Sequence, residues 1–391
     1  MPSTAITSTI DPTKDRMNET LQTLMREATR LTQAGRLHEA TQTLQRALGG
    51  RPGGNTTATA SSDDRSLILD GCTFETSERT TTQQPPEQFD CARPDAGLGS
   101  FTADTHVHAG LTRRYKLYTP PLCTSQPALA LVVMLHGCTQ NADDFAAGTG
   151  MNELAREQGF IVLYPEQAKD ANPQRCWNWF KHNHQRRGSG EPALIASLTQ
   201  KLVQVHGINP RRVYIAGLSA GGAMAANVAA AYPDVFAAAG VHSGLPAGSA
   251  RSVAEAMVQM QSGANAGGRS EQAVPTIVFH GDQDRTVNPR NGEQVLAAAL
   301  HDQAYGGTWG AGAVPYPGRA AHGVSSGGRR YTRTDYSDGA GAPLAEHWVI
   351  HGAGHAWSGG QPTGSYTEPT GPDATREMLR FFFSQPSGLS H

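Results

Sequence analysis

The chain predicts an α/β protein: a mostly parallel sheet with helices on both faces. Three observations carry this. Ala128–His136, Phe160–Tyr164 and Thr276–His280 are short, continuous apolar runs, as expected of parallel strands buried on both sides. Stretches of helical spacing alternate with them, and that order specifies a parallel sheet covered twice. A short apolar strand, Arg211–Ala216, runs through the tight turn Gly217-Leu218-Ser219-Ala220-Gly221 into an Ala-rich helix.

Four regions are expected along the chain. Residues 1–16 read as a disordered tail. Over 17–48 the apolar residues Leu21, Leu24, Met25, Ala28 and Leu31, then Leu37, Ala40, Leu44 and Leu48, fall at helical spacing and break at Gly35, which predicts a helical hairpin. Residues 49–97, rich in Gly, Thr, Ser, Pro and Gln, read as a low-complexity linker. Residues 98–385 form the large domain. It opens with antiparallel strands at Phe101–His108 and Leu111–Tyr118. A helix at 144–158, the Phe160–Tyr164 strand and a helix at 192–206 follow. Beyond the Gly217–Gly221 turn come strands at 235–242, 276–280, 330–336 and 345–351, and an amphipathic helix at 373–383. His106 and His108 share one face of a strand and read as solvated rather than as a metal pair.

Composition narrows the function. The 32 Lys and Arg balance 34 Asp and Glu, so nothing electrostatic points to nucleic acid. No apolar run reaches membrane-spanning length. The first residues lack a basic stretch followed by an apolar one, so a cytoplasmic address is expected. Five cysteines are too few for a disulfide scaffold.

The chemistry centres on Ser219. A G-x-S-x-G turn between strand and helix is the nucleophile elbow of α/β-hydrolases, where crowding demands the flanking glycines. A serine hydroxyl needs a base, and the base needs an orienting acid; in this fold the chain order is Ser, acid, His. Asp284 follows the 276–280 strand and is taken as the acid. Its competitor Asp282 sits nearer the strand end and caps the loop. His355, in a Gly-rich loop past the last strand, is taken as the base over His351, which still belongs to the strand. His136, His242 and His280 also end strands and read as structural imidazoles. The developing oxyanion needs two N–H donors: those of Ala220, next to the nucleophile, and Cys138, in the loop after the first buried strand. Cys138 and Cys176 read equally as a bridge pinning that loop or as two reduced thiols. Trp177, Trp179, Phe180 and Trp357 read either as a substrate groove or as core, with Trp177, Trp179 and Trp357 the candidate substrate contacts. No metal or organic cofactor is expected.

Leu135-His-Gly-Cys-Thr-Gln140, Cys176-Trp-Asn-Trp-Phe180, Gly217-Leu-Ser-Ala-Gly-Gly222, His280-Gly-Asp-Gln-Asp284 and Gly354-His-Ala-Trp-Ser-Gly-Gly360 together resemble the poly(3-hydroxybutyrate) depolymerase family of α/β-hydrolase esterases. The resemblance covers about Leu98 to Phe383. It implies a serine esterase working through an acyl-enzyme on short-chain polyhydroxyalkanoate or its oligomers, with Ser219, Asp284, His355 and Cys138 in the roles above. The same family includes feruloyl and acetylxylan esterases, the alternative substrate class. The 17–48 hairpin looks like the leader of intracellular members, which implies action on polymer granules or soluble oligomers inside the cell. In the remaining reading, of another class, that hairpin is a granule- or partner-docking module.

Overall fold

The computed structural model describes residues 97–121, 129–264, 273–306 and 318–385. The expected tail, hairpin and nearly all of the linker lie outside these residues.

Five strands are buried at every position: β3 (Leu131–Leu135), β4 (Ile161–Pro165), β5 (Val213–Leu218), β6 (Ala238–His242) and β7 (Thr276–Gly281). Burial on both faces is why these sequences are apolar without alternation. Before them, β1 (Ser100–His108) and β2 (Leu111–Thr119) form an antiparallel hairpin in register from Ser100↔Thr119 to His108↔Leu111. Its two-residue turn holds Ala109 and Gly110 at φ 48° and 77°, the positive angles that match a hairpin's twist. After them come β8 (Arg319–Val324), β9 (Arg330–Ser337) and β10 (Pro343–Ile350). The sheet runs β1-β2-β4-β3-β5-β6-β7-β10-β9-β8. Its centre, from β4 to β10, is parallel, and both ends are antiparallel. This is the α/β-hydrolase fold.

Alternation along β3 divides the core into two layers. Leu131, Val133 and Leu135 pack with Leu194 and Leu198 of α3 (Gly190–Val205) and Met224 and Val228 of α4 (Ala220–Ala231). Val132 and Met134 pack on the other face with Phe145 of α1 (Ala142–Thr149), Met151 and Leu154 of α2 (Met151–Gln158), and Met378 and Phe382 of α7 (Ala374–Phe383). On α7 the Phe382 ring stacks on Tyr214 with centroids 5.0 Å apart. The Asp373 side chain caps this helix by accepting from the Arg376 N–H at 3.0 Å. Two further helices, α5 (Val253–Ser262) and α6 (Arg290–Gly306), follow β6 and β7.

Several boundaries differ from expectation for local reasons. The single helix expected at 144–158 is two. Gly150, at φ 63°, turns left-handed and ends α1 by donating its N–H to Ala146 O at 3.1 Å. The strands expected from 128, 211 and 235 start two or three residues later. Helix α6 and strand β8 are not among the elements expected from the sequence. His106 is buried rather than solvated, with Nε2 3.1 Å from Ser197 Oγ.

Candidate active site

The site forms at the carboxyl ends of β3, β5, β6, β7 and β10, where open α/β sheets bind ligands. Ser219 follows β5 at once, with φ 57° and ψ −119°. An L-residue held there stores about 1–3 kcal/mol of strain, and the surroundings over-determine it. The Ser219 N–H donates to His242 O at 2.9 Å, and its carbonyl accepts from the Ala223 N–H at 2.9 Å. The flanking glycines are required by contact. A Cβ on Gly217 would lie 2.4 Å from Gly221 C and O. One on Gly221 would lie 2.0 Å from Leu135 O, at the end of β3. The turn therefore presses the first turn of α4 onto the β3 loop, and the N-terminal end of that helix meets Ser219.

The β3 loop is held from several sides. His136 is buried, and burial pushes its imidazole below the ordinary range, so the ring is neutral. Its Nε2 accepts from the Gln167 N–H at 3.1 Å, so Nδ1 carries the proton and donates to Gly137 O at 2.7 Å. That carbonyl shares a trans peptide with the Cys138 N–H and fixes its direction. A disulfide joins Cys138 to Cys176, deciding between the two readings of this pair. The Thr139 N–H adds a bond to Gln174 O at 2.7 Å. Gly137 itself adjoins Ser219: a Cβ there would lie 3.7 Å from Ser219 Cβ. Among the described residues, neither the Cys138 nor the Ala220 N–H donates to a protein acceptor.

Two Asp–His pairs stand side by side beyond β7 and β10. Asp284 Oδ2 lies 2.6 Å from His355 Nδ1. Its Oδ1 accepts from the N–H groups of Thr286 and Val287 at 2.8 and 2.9 Å. His280 Nε2 bonds to Val287 O at 2.9 Å, so it bears the proton, and it lies 3.3 Å from Asp284 Oδ2. Burial pushes the Asp284 carboxyl up. Hydrogen bonds from His280 and His355, the His355 charge and the backbone donors outweigh it and hold the group well below the usual carboxylate range. An ionised Asp284 can only accept, so His355 Nδ1–H donates to it and Nε2 is left as the acceptor. In the second pair, Asp282 Oδ2 lies 2.9 Å from His351 Nδ1, and Thr332 Oγ1 lies 2.8 Å from His351 Nε2. The two competitors of the sequence reading are thus occupied with each other, beside a cavity of about 690 Å³ that Ser219 does not line.

His242, at the end of β6, links the halves of the site. Its carbonyl holds the elbow, while its Nε2 accepts from the Ser358 N–H at 3.0 Å, three residues past His355. Burial first, then the charges of His280 and His355, push its imidazole down to about 3. This linking role leaves no sequence signal beyond a histidine at a strand end. Among the described residues, no protein group bonds to the Ser219 hydroxyl or to His355 Nε2.

The tryptophan expectation is overturned. Trp177 is 0%, Trp357 1% and Trp179 4% exposed. Trp357 meets Phe145 edge-on, stacks on His242 and donates to Thr375 Oγ1 at 3.0 Å. Rings this deep are core, and none can wall a groove without the domain opening.

The fold and this arrangement of residues at the strand ends define an α/β-hydrolase. The model of the family described as Esterase PHB depolymerase matches residues 113–315, and the chain belongs to that family. The match includes Ser219, Asp284 and Cys138 and stops before His355. Poly(3-hydroxyalkanoate) depolymerase C of Paucimonas lemoignei is 33% identical over 246 residues, 59% of this chain and 56% of that protein. Poly(3-hydroxybutyrate) depolymerase of Ralstonia pickettii is 30% identical over 281 residues, 67% of this chain and 54% of that protein. The chain thus spans about half the length of the curated depolymerases it matches. Acetylxylan esterase A of Emericella nidulans is 30% identical over 201 residues, 45% of this chain and 63% of that protein. Among solved structures, the acetyl xylan esterase from Aspergillus awamori aligns with TM-score 0.52 at 20% identity, over 72% of this chain and 99% of that one, a likeness of fold.

Proposed function

We propose that this protein is a serine esterase that hydrolyses short-chain polyhydroxyalkanoate, poly(3-hydroxybutyrate) in particular, or its oligomers. One observation carries the reading: an ionised, buried carboxylate fixes the His355 tautomer at 2.6 Å, in the loop tied through His242 to the strained Ser219 turn. Ser219 Oγ attacks the ester carbonyl while His355 Nε2 takes its proton. The Cys138 and Ala220 N–H groups receive the oxyanion. His355 then protonates the departing alkoxide, leaving an acyl-enzyme. Water, deprotonated by the same nitrogen, releases the hydroxyacid and restores Ser219. Asp284 holds the imidazolium without taking its proton, consistent with a carboxyl held so far below its usual range. The scheme calls on neither metal nor cofactor.

Likeness to acetylxylan esterase A supports a second substrate reading, a plant cell-wall ester. Turnover of hydroxybutyrate trimer against methyl ferulate and acetylated xylan separates them. Preference for the trimer is expected, and preference for either of the others overturns the polyester assignment. Among the described residues no helix is long and apolar enough to cross a membrane. The Cys138–Cys176 bond suits an oxidising compartment better than the cytoplasmic, granule-associated address expected from the sequence. Cell fractionation tests the address: recovery in the cytosol or on granules restores the sequence expectation.

A further inference from the structure

Resting on the esterase reading, we propose that Tyr366 is a substrate-contacting, specificity-determining residue, its ring forming the aromatic wall of the site. The sequence offered tryptophans as candidates for that wall, and the fold buries them. Tyr366 is instead 46% exposed, and among the described residues it stacks on no other ring. Its backbone φ is 53°, a conformation that bulky L-residues rarely adopt, so its surroundings must hold it.

They hold it from both halves of the site. The Trp357 N–H, two residues past His355, donates to Tyr366 O at 2.7 Å. This bond joins the short parallel ribbon of β11 (Trp357–Ser358) and β12 (Thr367–Glu368). On its N-terminal side, Ser365 donates its N–H to Asp144 Oδ1 at 2.8 Å, and Ser365 O accepts from Gln140 Nε2 at 3.1 Å. The same Gln140 accepts the Gly137 N–H at 2.9 Å through Oε1, tying the segment to the oxyanion loop. The phenol completes the tie. Thr139 Oγ1 lies 3.1 Å from the Tyr366 hydroxyl and gives its single proton to Cys138 O at 2.6 Å. Tyr366 O–H must therefore be the donor to Thr139.

The ring is thus anchored on the residue directly after the proposed oxyanion donor, and its free surface faces solvent there. A carbonyl bound at Cys138 and Ala220 carries its chain past this ring on one side. An aromatic face in that place suits the methyl-bearing aliphatic chain of a hydroxyalkanoate ester, through apolar contact a small acetyl ester cannot make.

The test compares kcat/KM for hydroxybutyrate trimer and p-nitrophenyl acetate in wild type, Tyr366→Ala, Tyr366→Phe and Tyr366→Trp, with melting temperatures for all. Tyr366→Ala is expected to lower the trimer-to-acetate ratio about tenfold, mainly through trimer KM, as expected for one lost aromatic contact. Tyr366→Phe and Tyr366→Trp, which keep a ring, should hold the ratio within about threefold. An unchanged ratio in Tyr366→Ala, or an equal kcat loss on both substrates, makes Tyr366 a prop of the oxyanion loop and overturns the proposal. If Tyr366→Ala does not fold, Tyr366→Ser, which also removes the apolar surface, takes its place with the same expected ratio. Ser219→Ala run alongside separates the two levels: if it still cleaves both esters, the esterase reading itself fails.

Discussion

Asp284→Asn isolates the feature that, in the proposed mechanism, makes His355 a base. Asparagine has nearly the volume of aspartate, and its Oδ1 can still accept the Thr286 and Val287 N–H groups. That places the amide Nδ2 opposite His355 Nδ1, where the carboxylate oxygen stood at 2.6 Å. An amide nitrogen donates and cannot accept. The ring must then accept at Nδ1 and carry its proton on Nε2, the atom that should take the Ser219 proton. Tautomer inversion in such a relay lowers kcat about 10,000-fold, equivalent to about 5.5 kcal/mol of transition-state stabilisation. The assay is p-nitrophenyl butyrate hydrolysis, with thermal melting to show the variant is folded. Asp282→Asn is the paired control. Asp282 bonds to His351 at 2.9 Å, so its kcat should stay within about threefold of wild type. A folded Asp284→Asn within tenfold of wild type, or an equal or larger loss in Asp282→Asn, refutes the assignment.

Two further predictions concern the scaffold. Cys176→Ser opens a bridge between residues 38 apart, and the chain-entropy estimate for such a loop is about 4 kcal/mol. Urea denaturation should show a loss of that order, and kcat should fall because Cys138 loses its tether; unchanged kcat removes the loop from the mechanism. His242 has its folded value pushed down to about 3 against about 6.5 in an unfolded chain. As pH falls through 6.5 the unfolded chain takes the proton first, so stability is lost between pH 6.5 and 3 and regained on raising pH. At pH 5 this amounts to about 2 kcal/mol, and the drop in unfolding free energy between pH 8 and 5 should shrink by that much in His242→Gln. An equal drop in both proteins contradicts the buried, neutral assignment.

The parallel sheet was legible because burial on both faces forces uninterrupted apolar strands, as in Leu131–Leu135 and Ile161–Pro165. The elbow was legible because Gly217 and Gly221 are imposed by contacts of 2.4 and 2.0 Å. The sequence reading took Asp284 over Asp282 and His355 over His351 from distance to the strand end; the structure joins Asp284 to His355 at 2.6 Å and Asp282 to His351 at 2.9 Å. Burial of the tryptophans was not legible. Alternating aromatics look the same whether they face a groove or a core, and only the packing of α1 and α7 around Trp357 decides. Nor was Tyr366, since its place depends on a bond to Thr139 across 227 positions of chain. The linking role of His242 joins three separate strand ends and has no local pattern.

The central claim is that Ser219 is the activated nucleophile, and covalent labelling tests it most directly. Treated with a p-nitrophenyl alkylphosphonate, the protein should lose esterase activity as one phosphonyl group attaches per chain. Peptide mass spectrometry should place that group on Ser219, and His355→Ala should label far more slowly. Full inactivation with the adduct on another residue, or an unlabelled Ser219 in active protein, contradicts the account.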